Sequence, residues 1–286
     1  MHPLDGVRAK TARAREHLDT LNAEFDAFMT VDSETPRGVV FEMDVAAGKG
    51  EVKWAESATP PLRWSVILGE FLYCLRSALD HLAWQLVIAS GGMPTNRTEF
   101  PVFMDQRGFE SERALRKMGG MSDPVRAAIR TLQPWIEWPE HPEQTTLWQI
   151  HDLNVKDKHR LLHLTDLWMF TLQVRFLIPA PPEAIPAITG GPVPMPVLLE
   201  RDTVLARFEW DAQTMAAFME TLGDQNVGIE LAGSLDVGLA EGEWVLRTGE
   251  PMSGMQVRQV MTVGVDYVEN TLVPNFTQFF DLPRHD

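Results

Sequence analysis

Cysteine is nearly absent from this chain: Cys74 is the one among 286 residues. That excludes an intramolecular disulfide framework and any cysteine-rich zinc site. Cys74 falls in an apolar run, where a thiol packs as a small hydrophobe. Tyrosine is scarce too, two against nine tryptophans and fourteen phenylalanines, which implies a dry, aromatic interior. The longest apolar run is interrupted by Glu70, Arg76, Asp80 and His81, which excludes it as a membrane span. Met1 to Lys10 contain no apolar stretch of the secretory type. The expectation is a soluble, cytoplasmic protein with no membrane partner.

Basic residues thin out along the chain. Residues 1–163 hold 19 Lys/Arg and 23 Asp/Glu, and residues 164–286 hold 6 and 17. An acidic last third excludes a broad nucleic-acid surface there. The first part is near balance, and Arg107, Arg113, Arg116, Lys117, Arg126 and Arg130 could line a local basic pocket, although solvated helix faces explain most such residues. No DNA-binding motif is present, and no cofactor is expected.

What is present is an alternation of helical and strand patterns. Leu4, Val7, Thr11, Ala14, Leu18, Leu21, Phe25 and Phe28 recur every three or four residues, which predicts a helix over 4–31. Residues 38–57 read as a β-hairpin turning at Gly48-Lys49-Gly50. Pro60-Pro61 opens and Ser90-Gly91-Gly92 closes a long helix. Shorter helices are expected at 106–118, 123–132 and 142–152, with Ser122 and Asn154 as caps, the latter starting a further helix. Beyond 164 the pattern turns to strands, with a Pro-rich loop at 179–196, a helix at 211–222 and a final amphipathic helix over 253–281, ended or kinked at Pro274.

The fold class that follows is α+β. A helical bundle over 1–164 carries the hairpin at 38–57. A β-rich subdomain covers 165–250, and a C-terminal helix in 251–286 packs back on the bundle.

Two polar clusters interrupt the apolar helices. On a helix, Arg76, Asp80, Ser77 and His81 fall at about 0°, 40°, 100° and 140°, a polar island opposite the stripe Leu72, Leu75, Leu79, Leu82 and Leu86. Arg76 and Asp80 can form an i,i+4 pair, with His81 bonded to a nearby carbonyl. The same residues suit chemistry, since Arg stabilises anions and His moves protons near neutral pH. The second cluster is Asn154, Asp157, Lys158, His159 and Arg160. Placed at a helix start, it would hold an anion. Antiparallel packing could bring both clusters to one cleft.

The run Arg76-Ser77-Ala78-Leu79-Asp80-His81 resembles the Arg-x4-His motif of the HEPN superfamily, helical bundles of which many are metal-independent ribonucleases. The resemblance implies Arg76 and His81 as catalytic residues acting on RNA, often in a homodimer with a composite site. Asp80 and His159 join them as candidates for catalysis, and Asn154, Asp157, Lys158 and Arg160 for substrate binding. Two other readings stand beside it. A metal-dependent hydrolase would use His151, His159 and His163 with Asp80 and His81. A non-catalytic protein would use the clusters only to lock helices together.

Overall fold

The computed structural model describes residues 2–32, 35–36, 38–55, 59–162, 164–176, 187–190, 197–222, 229–239, 244–245, 251–252 and 256–280. The fold is α+β. Helix α1 (Asp5–Met29) is followed by a short ribbon, β1 (Thr30–Asp32) with β2 (Thr35–Pro36), and by the hairpin β3 (Val39–Asp44) and β4 (Lys49–Trp54). The long helix α2 (Leu62–Ala89) comes next. Four short helices follow: α3 (Gln106–Phe109), α4 (Glu112–Lys117), α5 (Asp123–Thr131) and α6 (Pro134–Glu137). Helix α7 (Thr146–His159) then leads into β5 (Leu164–Phe176).

The remaining elements are β6 (Ala187–Gly190), β7 (Val197–Leu198), β8 (Val204–Glu209), α8 (Ala212–Leu222), β9 (Ile229–Leu239), β10 (Trp244–Val245), β11 (Pro251–Met252) and α9 (Val257–Tyr267). Two small antiparallel sheets run in the orders β3-β4-β8-β6 and β7-β5-β9. The hairpin therefore gains its third strand from the C-terminal half, with Val52 opposite Phe41 on one side and Ala206 on the other. Of the Pro-rich stretch 179–196, only β6 lies within the described residues.

The core sits where α2 meets α1, α7 and α9. The leucine stripe of α2 is fully enclosed, no member being more than 1% exposed. Val7, Ala14, Leu18 and Leu21 of α1 pack with it, as do Met261 and Val265 of α9. Thr11, the polar member of the α1 stripe, is buried because its hydroxyl donates back to the Val7 and Arg8 carbonyls. Cys74 is a buried thiol of the same core.

Three sequence expectations are corrected. Residues 106–118 break into α3 and α4 because Asp105 and Ser111 each cap a separate helix through the side chain. Asn154 caps nothing: it is buried within α7, whose N-cap is Thr145. No helix starts there, and the cluster at 154–160 ends a helix. The final segment is wound unevenly, with a π-helical turn at Val268–Leu272 and a 3-10 stretch at Val273–Phe279, where Pro274 lies. That change of winding keeps Val268, Leu272 and Phe276 all in the core.

The loop after α2 is fixed by close backbone approach. A Cβ at Gly92 would come within 2.5 Å of the Gly120 carbonyl oxygen, whereas one at Gly91 meets nothing within 4 Å. Gly92→Ala is expected to destabilise the protein by ~2 kcal/mol or more, because backbone must move. Gly91→Ala, at φ +77°, should cost about 1 kcal/mol, from the left-handed conformation alone. Urea denaturation of both variants checks the order.

Candidate functional site

The first polar cluster lies in mid-α2, against the loop that follows the helix. Arg76 is only 5% exposed. Its Nη2 donates to Asp80 Oδ1 at 2.5 Å and to the Phe100 carbonyl at 2.7 Å. The Phe100 N–H donates in turn to Asp80 Oδ1 at 2.9 Å. The i,i+4 pair read from the sequence thus grips both polar groups of one peptide residue. Gln133 does the same further along: its Nε2 donates to the Pro101 and Ile129 carbonyls, and its Oε1 accepts from the Phe103 N–H. Phe100 is itself fully buried, edge-on to Phe276 at 6.1 Å.

Burial pushes the Asp80 carboxyl above the ordinary carboxylate range. Arg76 and the Phe100 N–H oppose that shift, and the nearby charge of Glu99 adds to it. Asp80 also reaches the surface. With His81, Trp84, Gln85 and Thr98 it lines a groove of about 390 Å³. His81 is exposed and forms no hydrogen bond among the described residues, contrary to the expected carbonyl partner. Its Nδ1 lies against Gly6, where a Cβ would come within 2.8 Å. Trp84 is 43% exposed. Arg76 does not line the groove and acts on it only through Asp80. Beyond the turn at Thr95–Thr98 lies a broader depression of about 710 Å³, lined in part by Arg97, Leu115 and Arg116.

The second cluster is elsewhere. Asp157 lies against Gly69, where its carboxylate oxygens would be 2.5 Å from a Cβ. Seven residues of helix, ~10 Å, separate Gly69 from Arg76. Burial raises the Asp157 pKa. Lys158, His159 and Arg160 are exposed at the C-terminal end of α7, where positive charge complements the helix dipole. Lys156 pairs with Asp152 at 2.7 Å. No residue of the second cluster lines the groove at Asp80 and His81, and the anion site expected at a helix start falls on a helix end instead.

Within the metal alternative, α7 separates two of the histidines. His151 and His159 are eight residues apart on α7, ~12 Å along its axis, too far to share one ion. His163 lies outside the described residues. Among the described residues no group of three His, Cys, Asp or Glu is placed to hold a metal ion.

His151 stands in another place of interest. It lines a cavity of about 160 Å³ with Arg113 and Lys117. Burial, followed by the charges of Arg76 and Lys117, lowers its pKa to about 4. Sequence reasoning offered Arg113 and Lys117 for a local basic pocket without placing His151 beside them, and it missed Gln85, Thr98 and Gln133. The apolar spacing around Trp84 gave no sign that its indole is open to solvent.

No family model, no curated protein and no solved structure matches the chain. Among the described residues no helix is long and apolar enough to cross a membrane.

Two stability measurements follow. Arg76→Ala leaves Asp80 and the Phe100 carbonyl without their partner and is expected to cost ~3–5 kcal/mol. Asp80→Asn should cost less, and the double variant should fall well short of the sum. A urea-denaturation cycle reads this coupling, and additive losses would mean the pair does not act as a clamp. For His151 the unfolded chain takes up a proton near 6.5 and the folded chain near 4. Stability is thus fully present above pH 6.5 and is lost as pH falls toward 4, by up to ~3 kcal/mol. His151→Gln should flatten that part of the pH–stability curve, and an unchanged slope would assign it to other groups.

Proposed function

We propose that the chain is a metal-independent endoribonuclease with a HEPN-like helical core, acting at the groove beside α2. The observation that carries this reading is that His81, Asp80 and the exposed indole of Trp84 line one groove. An imidazole free of internal hydrogen bonds can remove the proton from a ribose 2′-hydroxyl. The hydroxyl oxygen then attacks phosphorus, and the bond to the 5′-oxygen breaks. The leaving oxygen takes its proton from water in the groove, and the Asp80 carboxylate, held by Arg76, supplies negative charge beside the imidazolium that forms. The products are a 2′,3′-cyclic phosphate and a 5′-hydroxyl. Trp84 offers a stacking face for a base. Arg97, in the depression beyond the Thr95–Thr98 turn, supplies positive charge for a flanking phosphate, whereas Arg116 there pairs with Glu112. Arg76 is a positioning residue here, holding Asp80 and the Phe100 peptide.

A second reading rests on the same clamp. Arg76 and Asp80 satisfy buried main-chain groups of Phe100, so the cluster also serves as a purely structural lock. This reading needs no substrate.

RNA cleavage in EDTA separates the two. Under the ribonuclease reading, the wild type cleaves, and a 2′-deoxy substitution at the cut nucleotide abolishes the cut. His81→Ala then loses about 10²-fold or more in kcat while remaining folded. Trp84→Ala mainly raises KM, by roughly tenfold for one lost stacking contact. Absence of cleavage, with Arg76→Ala unfolded and His81→Ala unchanged in stability, favours the structural lock. Cleavage only after metal is added overturns both.

A further inference from the structure

The cavity around His151 differs in chemistry from the groove at His81. Its polar residues are Arg113, Lys117 and His151, and its walls are Val102, Phe103, Met104 and Trp148. The His151 ring lies 5.6 Å from that of Trp148, and its Nδ1 is buried without a hydrogen-bond partner. A buried ring nitrogen left unpaired is costly unless a ligand or water completes it.

The local charges can be paired off. Lys117 is bound to Glu99 at 2.6 Å. Asp152 is bound to Lys156 at 2.7 Å, and Arg76 to Asp80. Arg113 forms no salt bridge among the described residues, and its charge reaches Glu99 only at longer range. Near neutral pH His151 is uncharged, because burial and the surrounding cations disfavour its protonation. One positive charge is left over, beside apolar walls. A nucleotide needs a larger cavity than about 160 Å³.

We propose that this cavity binds a small organic monocarboxylate. The carboxylate sits among Arg113, Lys117 and His151, and the short carbon body packs on Phe103, Met104 and Trp148. Arg113 supplies the charge-assisted hydrogen bonds. Neutral His151 donates one ring N–H, and Lys117 shares its ammonium between Glu99 and the ligand. None of these residues lines the groove at His81, so the proposal stands apart from the cleavage reading.

The test is a titration of the full chain near pH 7 with butyrate, benzoate, inorganic phosphate and chloride. The imidazole NMR signals of His151 are followed, with thermal melting alongside. Butyrate or benzoate should shift the His151 signals saturably at millimolar concentration, the range of small fragments, and raise the melting temperature. Phosphate should bind more weakly, and chloride should leave the signals in place. Arg113→Gln, at an exposed position, should stay folded and bind the carboxylate about tenfold or more weakly, as for a lost charged hydrogen bond. His151 signals that no carboxylate moves would overturn the proposal. So would phosphate binding more tightly than butyrate, or unchanged affinity in Arg113→Gln.

Discussion

The structure depends on how a stretch of irregular main chain, Phe100 to Phe103, is buried inside a helical core. Peptide groups taken out of water must find hydrogen bonds, and a segment outside any sheet has no strand to supply them. Here side chains do it. Arg76 and Asp80 take the carbonyl and N–H of Phe100, and Gln133 takes the Pro101 carbonyl and the Phe103 N–H. Because these three residues belong to α2 and to the turn after α5, the segment ties together helices far apart in sequence. Phe100 and Val102 can then pack in the interior, and Phe100 can meet Phe276 near the C-terminus.

The same segment divides two chemical environments. Just before it, Thr98 borders the open groove that holds Asp80, His81 and Trp84. At Val102 and Phe103 the segment borders the basic cavity of Arg113, Lys117 and His151. The Glu99–Lys117 pair joins the approach to one with the wall of the other. Carboxyl burial at Asp80 and imidazole burial at His151 shift the two groups in opposite senses, each away from its charged form.

Periodicity made the helices legible. The stripes of α1 and α2, the hairpin and the Arg76–Asp80 pair all follow from local spacing, and all are found. What spacing could not show is where chain-distant groups meet. Asn154 looks like a cap because Asn often is one, yet the apolar face of α7 continues through Leu147, Ile150 and Leu153 and carries the helix past it. The cap of α9 comes instead from strand β9, where buried Asp236 accepts from the Arg258 N–H. No local motif encodes such a cap. Likewise Gln133 sits between Leu132 and Pro134 with nothing to mark it, and only the fold sets it against Pro101. The motif around Arg76 was visible, but its division into a buried clamp and an exposed imidazole arises from the loop packed on one side of α2.

The turn at Thr95–Thr98 hangs between two anchors. One is the contact of Gly92 with Gly120, and the other is the grip on Phe100. Both act on main-chain atoms. The path of the loop is consequently written into its flanks, and the exposed side chains at its tip carry little of the burden of placing it. Variation could therefore accumulate at Asn96 and Arg97 without unseating the loop. In evolutionary terms this is a replaceable rim on a fixed frame: Asn96 and Arg97 border the depression beside Leu115, and that surface can change while the helices beneath it stay.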